Sequence, residues 1–128
     1  MNLLLDTHIL LWAAAGELPK EAARYIDGTS NTLFFSPASI WEVVIKSRLN
    51  RKDFIVDPPS LYRGLIDAGY EELDITGQHT LLVSSLPTLH KDPFDRLLLA
   101  QSAFEGIPLL TADEIIAQYP GSIIFVGK

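Results

Sequence analysis

The stretch Asn2-Leu3-Leu4-Leu5-Asp6-Thr7 decides how the fold of this 128-residue chain is interpreted. Its three leucines predict a short β-strand that is apolar at every position, as parallel strands are when helices cover both faces of their sheet. An aspartate follows directly. An ionised carboxylate taken out of water without a partner costs several kcal/mol, roughly, so a chain tolerates a set of them near its core only where a cation gathers them. The stretch therefore predicts an α/β core with a charged site at one edge.

Short apolar segments predict the other strands. The five predicted strands are Asn2 to Leu5, Thr32 to Phe35, Glu71 to Ile75, Ile107 to Leu110 and Ser122 to Val126. Helical patterns lie between them, several with proline at the start or glycine after the end. The predicted helices are Thr7 to Ala15, Pro19 to Asp27, a helix from Pro37, Pro59 to Ala68, Gln78 to Leu86 and a helix from Pro93 to Gly106, with a short turn after Asp113. This alternation predicts a three-layer α/β/α domain with a central parallel sheet of four to five short strands.

Composition indicates a single domain over residues 1–128. Apolar residues make up 48% of the chain and the mean hydropathy is +0.20, which argues for a compact globule and against disorder. No apolar stretch is long enough to cross a membrane and no secretion signal is visible, so we expect a cytoplasmic protein. The absence of cysteine excludes thiolate metal sites and thiol catalysis.

The net charge of −6 argues against a broad basic surface of the kind that binds nucleic acid by releasing counterions. If the substrate is a nucleic acid, its contact with this protein must be local. Bound divalent cations and a few Lys or Arg side chains near the site would have to supply the attraction.

Four acids fall where a shared site is expected. Asp6, Glu42 and Asp113 each follow the carboxyl end of a predicted strand, and Asp95 lies in the first turn of a late helix. The carboxyl ends of parallel strands share one edge, where ligands bind at the point at which strand order reverses. Four carboxylates with water are the ligands that Mg²⁺ or Mn²⁺ prefers. We therefore expect these acids to be metal ligands and catalytic residues.

Each acid also has a purely structural interpretation. Asp6 and Asp113 can cap the helical turns that follow them, and Asp92 is well explained as the N-cap before Pro93, with Asp95 three residues later. Glu42 can form an ordinary i,i+4 pair with Lys46. Capping alone does not require the acids to share one crevice, so their joint position favours a site.

Other polar and aromatic residues near these acids have open interpretations. We expect His8 and His90 at the surface or beside the site, and Trp12 and Trp41 in the core. Arg96 is either the partner of a nearby acid or a phosphate contact.

Four short motifs occur in register. They are Met1 to His8, Ser36-Pro-Ala-Ser-Ile-Trp-Glu42, His90-Lys-Asp-Pro-Phe-Asp95-Arg-Leu-Leu-Leu-Ala-Gln, and Thr111-Ala-Asp113. Together they resemble PIN-domain ribonucleases of the VapC toxin type, and the resemblance covers nearly the whole chain. The segment from Asn50 to Val56 and the tail after Val126 are less typical, so partner contacts there are expected to differ.

The resemblance implies a function. It implies a PIN-like domain in which Asp6, Glu42, Asp95 and Asp113 bind Mg²⁺ or Mn²⁺, one ion or two, and cleave RNA by phosphodiester hydrolysis. It also implies a toxin held inactive by a cognate antitoxin protein. Thr7 and Thr111 match hydroxyl positions beside the metal site. Asp92 and Arg96, which belong to the same motif as Asp95, are also expected to lie beside the metal ligands. A homodimer is expected, with exposed apolar surface on Leu10, Leu11 and the Pro59 to Ala68 helix.

Two other functions compete. The chain could be a partner-binding module with little or no catalysis, since an acidic surface suits a basic partner. A phosphotransfer domain is the other alternative, but the second Asp of a haloacid dehalogenase would stand where His8 is. A receiver domain would need an acid and a lysine at strand ends where Asp74 and Lys128 do not fit.

Overall fold

The protein contains a five-stranded parallel sheet. The computed structural model describes residues 1–28, 30–49 and 56–127. The strands are β1 (Asn2–Leu5), β2 (Thr32–Phe35), β3 (Glu71–Glu72), β4 (Leu109–Thr111) and β5 (Ile123–Phe125), in the spatial order β3-β2-β1-β4-β5. All the strand pairs are parallel. The predicted α/β class and sheet are thus confirmed.

Six helices and one turn connect the strands. They are α1 (Thr7–Ala15), α2 (Lys20–Ile26), α3 (Pro37–Arg48), α4 (Pro58–Asp67), α5 (Gly77–Val83), α6 (Pro93–Glu105) and a 3-10 turn (Ile116–Gln118) after Asp113. Gly16 and Gly106 end α1 and α6 in the left-handed conformation, with φ of 71° and 69°. Most of the atypical segment from Asn50 to Val56 lies outside the described residues.

Alternate residues of β1 point into two separate cores. Leu3 and Leu5 of β1 pack in a cluster with Ile9 and Val43 from the helices on one side of the sheet. Leu4, between them, packs with Leu98 of α6 in a second cluster. Because both faces of β1 are covered by helices, its leucines are continuous in sequence. The two clusters establish the predicted three-layer arrangement.

Two predicted strand boundaries are wrong. The third strand stops at Glu72 instead of Ile75 because its neighbour β2 ends at Phe35, where Ser36 begins to cap α3. The fourth strand runs from Leu109 to Thr111 instead of from Ile107 to Leu110. Before it, the N–H of Ile107 bonds to the carbonyl at the end of α6, while Thr111 pairs with β5.

The order of the strands places a crevice between β1 and β4. The chain moves from β1 to β2 and β3 on one side, then returns across the sheet to β4 and β5 on the other. Adjacent crossovers leave β1 and β4 toward opposite faces, which opens a gap at their carboxyl ends. Within the described parts of the chain, no helix is both long enough and apolar enough to span a membrane.

Candidate metal centre

A pocket of about 320 Å³ lies at the carboxyl ends of β1 and β4. Its lining includes all four acids expected at the site together with several neutral or cationic side chains: Asp6, Glu42, Asp95, Asp113, Thr7, His8, Leu11, Lys46, His90 and Asp92. The fold therefore brings together carboxylates that are far apart in sequence.

Asp6 follows β1 and is 3% exposed. Its Oδ1 accepts a hydrogen bond from the backbone N–H of Ile9 at 2.9 Å, so it caps α1 as the sequence allowed. Its Oδ2 accepts from the hydroxyl of Thr111. Burial raises the pKa of Asp6 above its ordinary value, although these two hydrogen bonds lower it in part.

Glu42 lies on the second turn of α3 and is 5% exposed. The hydroxyl of Thr7 donates to Glu42 Oε1 at 2.8 Å and lies 2.9 Å from Ser39 Oγ. Lys46 Nζ contacts Glu42 Oε2 at 2.7 Å. The i,i+4 pair expected from sequence is therefore present, and it forms within the pocket instead of on an outer face.

Asp95 and Asp113 meet at the imidazole of His90. Nε2 of His90 lies 3.0 Å from Asp95 Oδ2 and 3.2 Å from Asp113 Oδ2. One potential ligand atom from each of these three residues lies within 4.8 Å of the others. His90 was expected at the surface or beside the site, and the structure places it between two of the site's acids.

The two acids beside His90 have opposite proton affinities. Burial, followed by repulsion from Asp92 and Glu42, raises the pKa of Asp95 to about 7. Burial would also raise the pKa of Asp113, but hydrogen bonds from the backbone N–H groups of Ile116 and Ile115 and from His90 outweigh it and lower that pKa. Asp95, like Asp6, is therefore an acid whose ionised form is disfavoured by its surroundings.

Asp92 caps α6 and also lines the pocket. Its Oδ1 accepts from the backbone N–H of Phe94 at 2.8 Å and of Asp95 at 3.4 Å. The expected capping role is therefore present, and through it Asp92 fixes the backbone that carries Asp95.

Arg96 has a different role from either of those expected. Its guanidinium donates to the backbone carbonyls of Val83 at 3.0 Å and Pro87 at 2.9 Å, and it lies outside the pocket lining. The i+1 position on α6 turns Arg96 away from Asp95 toward the preceding loop. It therefore holds the backbone and contacts no acid among the described residues.

Two residues near the site were missed or misjudged. Trp41 is 61% exposed, not a core residue, because it lies beside buried Glu42 on the outer side of α3. Its ring packs edge to face on Phe94, with 5.3 Å between centroids. No pattern in the sequence around Tyr119 predicted a role at the site. Its hydroxyl nevertheless accepts a hydrogen bond from the backbone N–H of His90 at 2.6 Å.

A protein-family model described as PIN domain matches residues 3–122. The chain belongs to the PIN domain family. No curated protein sequence gives a significant match.

Solved structures share the fold of this PIN domain. VapBC2 from Rickettsia felis, bound to a DNA fragment from its promoter, is 18% identical over 99% of this chain and 98% of that chain, with a TM-score of 0.74. DNA-bound VapBC from Salmonella typhimurium is 16% identical over 98% of both chains, with a TM-score of 0.71. VapBC-5 from Mycobacterium tuberculosis, of the VapBC family of toxin-antitoxin systems, is 12% identical over 99% and 98%, with a TM-score of 0.65.

The pocket of this PIN domain fits a hard divalent cation. Its acids supply oxygen donors from β1, α3, α6 and the segment after β4. The pKa of Asp95 is raised by burial and by the neighbouring acids, so its ionised form is disfavoured in the absence of a cation. A cation placed among these oxygens would favour the ionised form of every acid in the pocket.

Proposed function

We propose that this PIN domain is a Mg²⁺- or Mn²⁺-dependent ribonuclease that hydrolyses phosphodiester bonds of RNA, and the toxin of a toxin-antitoxin pair. One observation carries the proposal: Asp6, Glu42, Asp95 and Asp113 converge on one pocket at the strand-order reversal of the sheet. Membership of the PIN domain family supports the nuclease class.

Asp6 and Glu42 are each held in place by neighbouring residues of the proposed site. Asp6 is fixed by Thr111 and the start of α1, and Glu42 is fixed by Thr7 and Lys46. These contacts hold the carboxylates in place before an ion arrives, which limits the ordering cost of binding. When bound, a divalent cation supplies an activated water as nucleophile and neutralises charge on the phosphate. The catalytic chemistry then needs no Ser or Cys nucleophile.

Attraction for RNA is local in this proposal. With a net charge of −6, the chain has no excess of cations to spread over a long strand. Besides His90, the basic side chains in the lining of this pocket are Lys46 and His8. We expect the bound cation to carry most of the attraction for the scissile phosphate, and we propose that the protein acts in the cytoplasm, where RNA is available.

We further propose a cognate antitoxin as partner. Solved structures that share this fold include VapBC toxin-antitoxin structures, which supports such a partner here. An apolar groove of about 520 Å³ lies between α1 and α4, lined among others by Leu11, Ala14, Leu61 and Leu65. An apolar segment of the antitoxin would bury its side chains in this groove.

A homodimer is also proposed, but on a different surface from the one expected. Leu10 is buried in the core, so it cannot contribute to an interface. Trp41 and Ile45 on α3 and Leu49 at its C-cap are instead exposed at i, i+4 and i+8, and we name them the α3 stripe. Helices that pack on one another present apolar residues at this spacing. A second copy would cover the stripe.

The ribonuclease proposal is tested by cleavage of mixed single-stranded and folded RNA with Mn²⁺, with Mg²⁺ and with EDTA. We expect cleavage with either ion, none with EDTA, and a loss of at least about 100-fold in Asp6→Asn and Asp95→Asn. Asp67→Asn, at the exposed end of α4, is the matched control and should keep wild-type activity.

Folding of each variant is checked by circular dichroism. Cleavage at the wild-type rate in both pocket variants would contradict the assignment of the site. Folded wild-type protein that cleaves no RNA under any metal condition would instead favour the partner-binding module.

A further inference from the structure

The hydrogen bonds of His90 define which of its nitrogens carries the proton. Nδ1 lies 3.1 Å from the backbone N–H of Asp92 and accepts its hydrogen bond. A neutral imidazole that accepts at Nδ1 carries its proton on Nε2. That Nε2–H group donates to Oδ2 of Asp113, and Nε2 also contacts Oδ2 of Asp95 at 3.0 Å. His90 therefore holds Asp113 by a hydrogen bond, lies against Asp95, and keeps no free lone pair with which to bind a metal.

The backbone of His90 is held firmly at the pocket. Its N–H donates to the hydroxyl of Tyr119, which is buried in the second core. Its carbonyl accepts from Arg96 Nη1 at 3.4 Å, and the same guanidinium holds the carbonyls of Val83 and Pro87. The loop 84–92 is thus tied to α6 and to the 3-10 turn region, and the position of the imidazole is set by contacts outside the pocket.

The two acids that His90 joins belong to different parts of the fold. Asp95 lies in the first turn of α6, and Asp113 follows β4. Oδ1 of Asp113 accepts from the backbone of Ile115 and Ile116. The carboxylate of Asp95 is in contact with the same imidazole, since its Oδ2 lies 3.0 Å from His90 Nε2. Without His90, Asp95 would lose this contact and Asp113 would lose the donor to its Oδ2.

We infer that His90 is a positioning residue, which holds the carboxylates of Asp95 and Asp113 in the arrangement that receives the divalent cation. This inference rests on the proposed metal-dependent function. The imidazole donates to Oδ2 of Asp113 and contacts Oδ2 of Asp95, so both carboxylates are held against one ring. Outer partners of this kind commonly affect metal affinity because they fix the orientation of the ligands.

His79 shows the same arrangement in a purely structural setting. Its Nδ1 accepts from the backbone N–H of Thr76 and its Nε2 lies 2.7 Å from Glu105 Oε2. That pair joins α5 to α6 away from the pocket lining. If His90 had only such a structural role, its substitution would change the stability of the protein alone. With the role inferred here, substitution of His90 must also change the affinity for the metal.

The test measures Mn²⁺ affinity by calorimetry and by electron paramagnetic resonance for wild type, His90→Ala, His90→Gln and Leu89→Ala. We expect the dissociation constant to rise about 10- to 100-fold in His90→Ala. His90→Gln should remain near wild type because its amide N–H can take the place of Nε2–H. Leu89→Ala, an exposed neighbour in the same loop, should match wild type. Nitrogen NMR of the imidazole should show the proton on Nε2 with and without Mg²⁺.

Unchanged affinity in His90→Ala, equal losses in the Ala and Gln variants, or loss of the Nε2 proton on addition of Mg²⁺ would each overturn the inference. RNA cleavage is measured in parallel. Wild-type protein that binds Mn²⁺ but cleaves no RNA contradicts the ribonuclease proposal alone, and the affinities still decide the role of His90. Wild-type protein that binds no Mn²⁺ overturns both.

Discussion

Individual acids in this protein perform two tasks because a carboxylate has two oxygens. Asp6 and Asp113 each use one oxygen to cap a helical turn, while the other oxygen is held by a residue from elsewhere in the chain, Thr111 for Asp6 and His90 for Asp113. Asp92 caps α6 and so fixes the backbone of Asp95. The structural and functional interpretations of these residues are therefore compatible, and capping provides the rigidity that a metal centre needs.

Among individual residues, the carboxyl group of Asp95 should make the metal-free protein less stable as the pH rises. Its pKa of about 7 in the folded protein lies above the usual value of 3.8. Between these values the folded protein binds more protons than the unfolded chain, so the free energy of unfolding falls as pH increases. The Asp95→Asn variant has no carboxyl group to ionise at this position. It should therefore be more stable than wild type at pH 8 in EDTA, by on the order of 1–3 kcal/mol.

Urea unfolding of both proteins at pH 5 and pH 8 in EDTA measures the difference. Asp6, whose pKa is also raised, and Asp113, whose pKa is lowered, are present in both proteins, so the comparison isolates Asp95. Equal stabilities at both pH values would contradict the raised pKa.

At the scale of elements, the guanidinium of Arg96 ties the loop before α6 to the helix. Arg96 donates to Val83 and Pro87 through a planar guanidinium, which an ammonium group cannot imitate. We expect Arg96→Lys to lower the free energy of unfolding by about 1–3 kcal/mol and to weaken Mn²⁺ binding, because the loop carries His90.

Arg63→Lys, on the exposed side of α4, is the matched control and should change neither quantity. Chemical unfolding and Mn²⁺ titration measure the two effects. If Arg96→Lys and Arg63→Lys behave alike, Arg96 does not hold this loop.

At the scale of the whole molecule, the α3 stripe lies next to the pocket, since Trp41 precedes Glu42 and packs on Phe94. A dimer through this stripe would bring two pockets toward each other. Sedimentation equilibrium at micromolar concentration should show a dimer for wild type and a monomer for Trp41→Asp, because a charge in an apolar interface is costly.

Leu81→Asp tests whether a charge introduced at any exposed apolar residue would disrupt the dimer. Leu81 is also strongly exposed but lies on α5, so this variant should remain dimeric. A wild-type protein that sediments only as a monomer would exclude the proposed dimer.

The sequence by itself determined the α/β class, most element boundaries and the four acids. These follow from local patterns: continuous leucines in β1, Asp92-Pro93 at the start of α6, and Gly106 after its end. Only the tertiary structure decided that His90 joins Asp95 to Asp113, that Arg96 turns to the backbone, and that Trp41 is exposed. Each of these depends on which elements pack together, as in the Thr111 to Asp6 hydrogen bond between residues 105 positions apart. Local preference cannot specify such pairs, because they form only when the crossovers bring β1, β4 and α6 to one edge of the sheet.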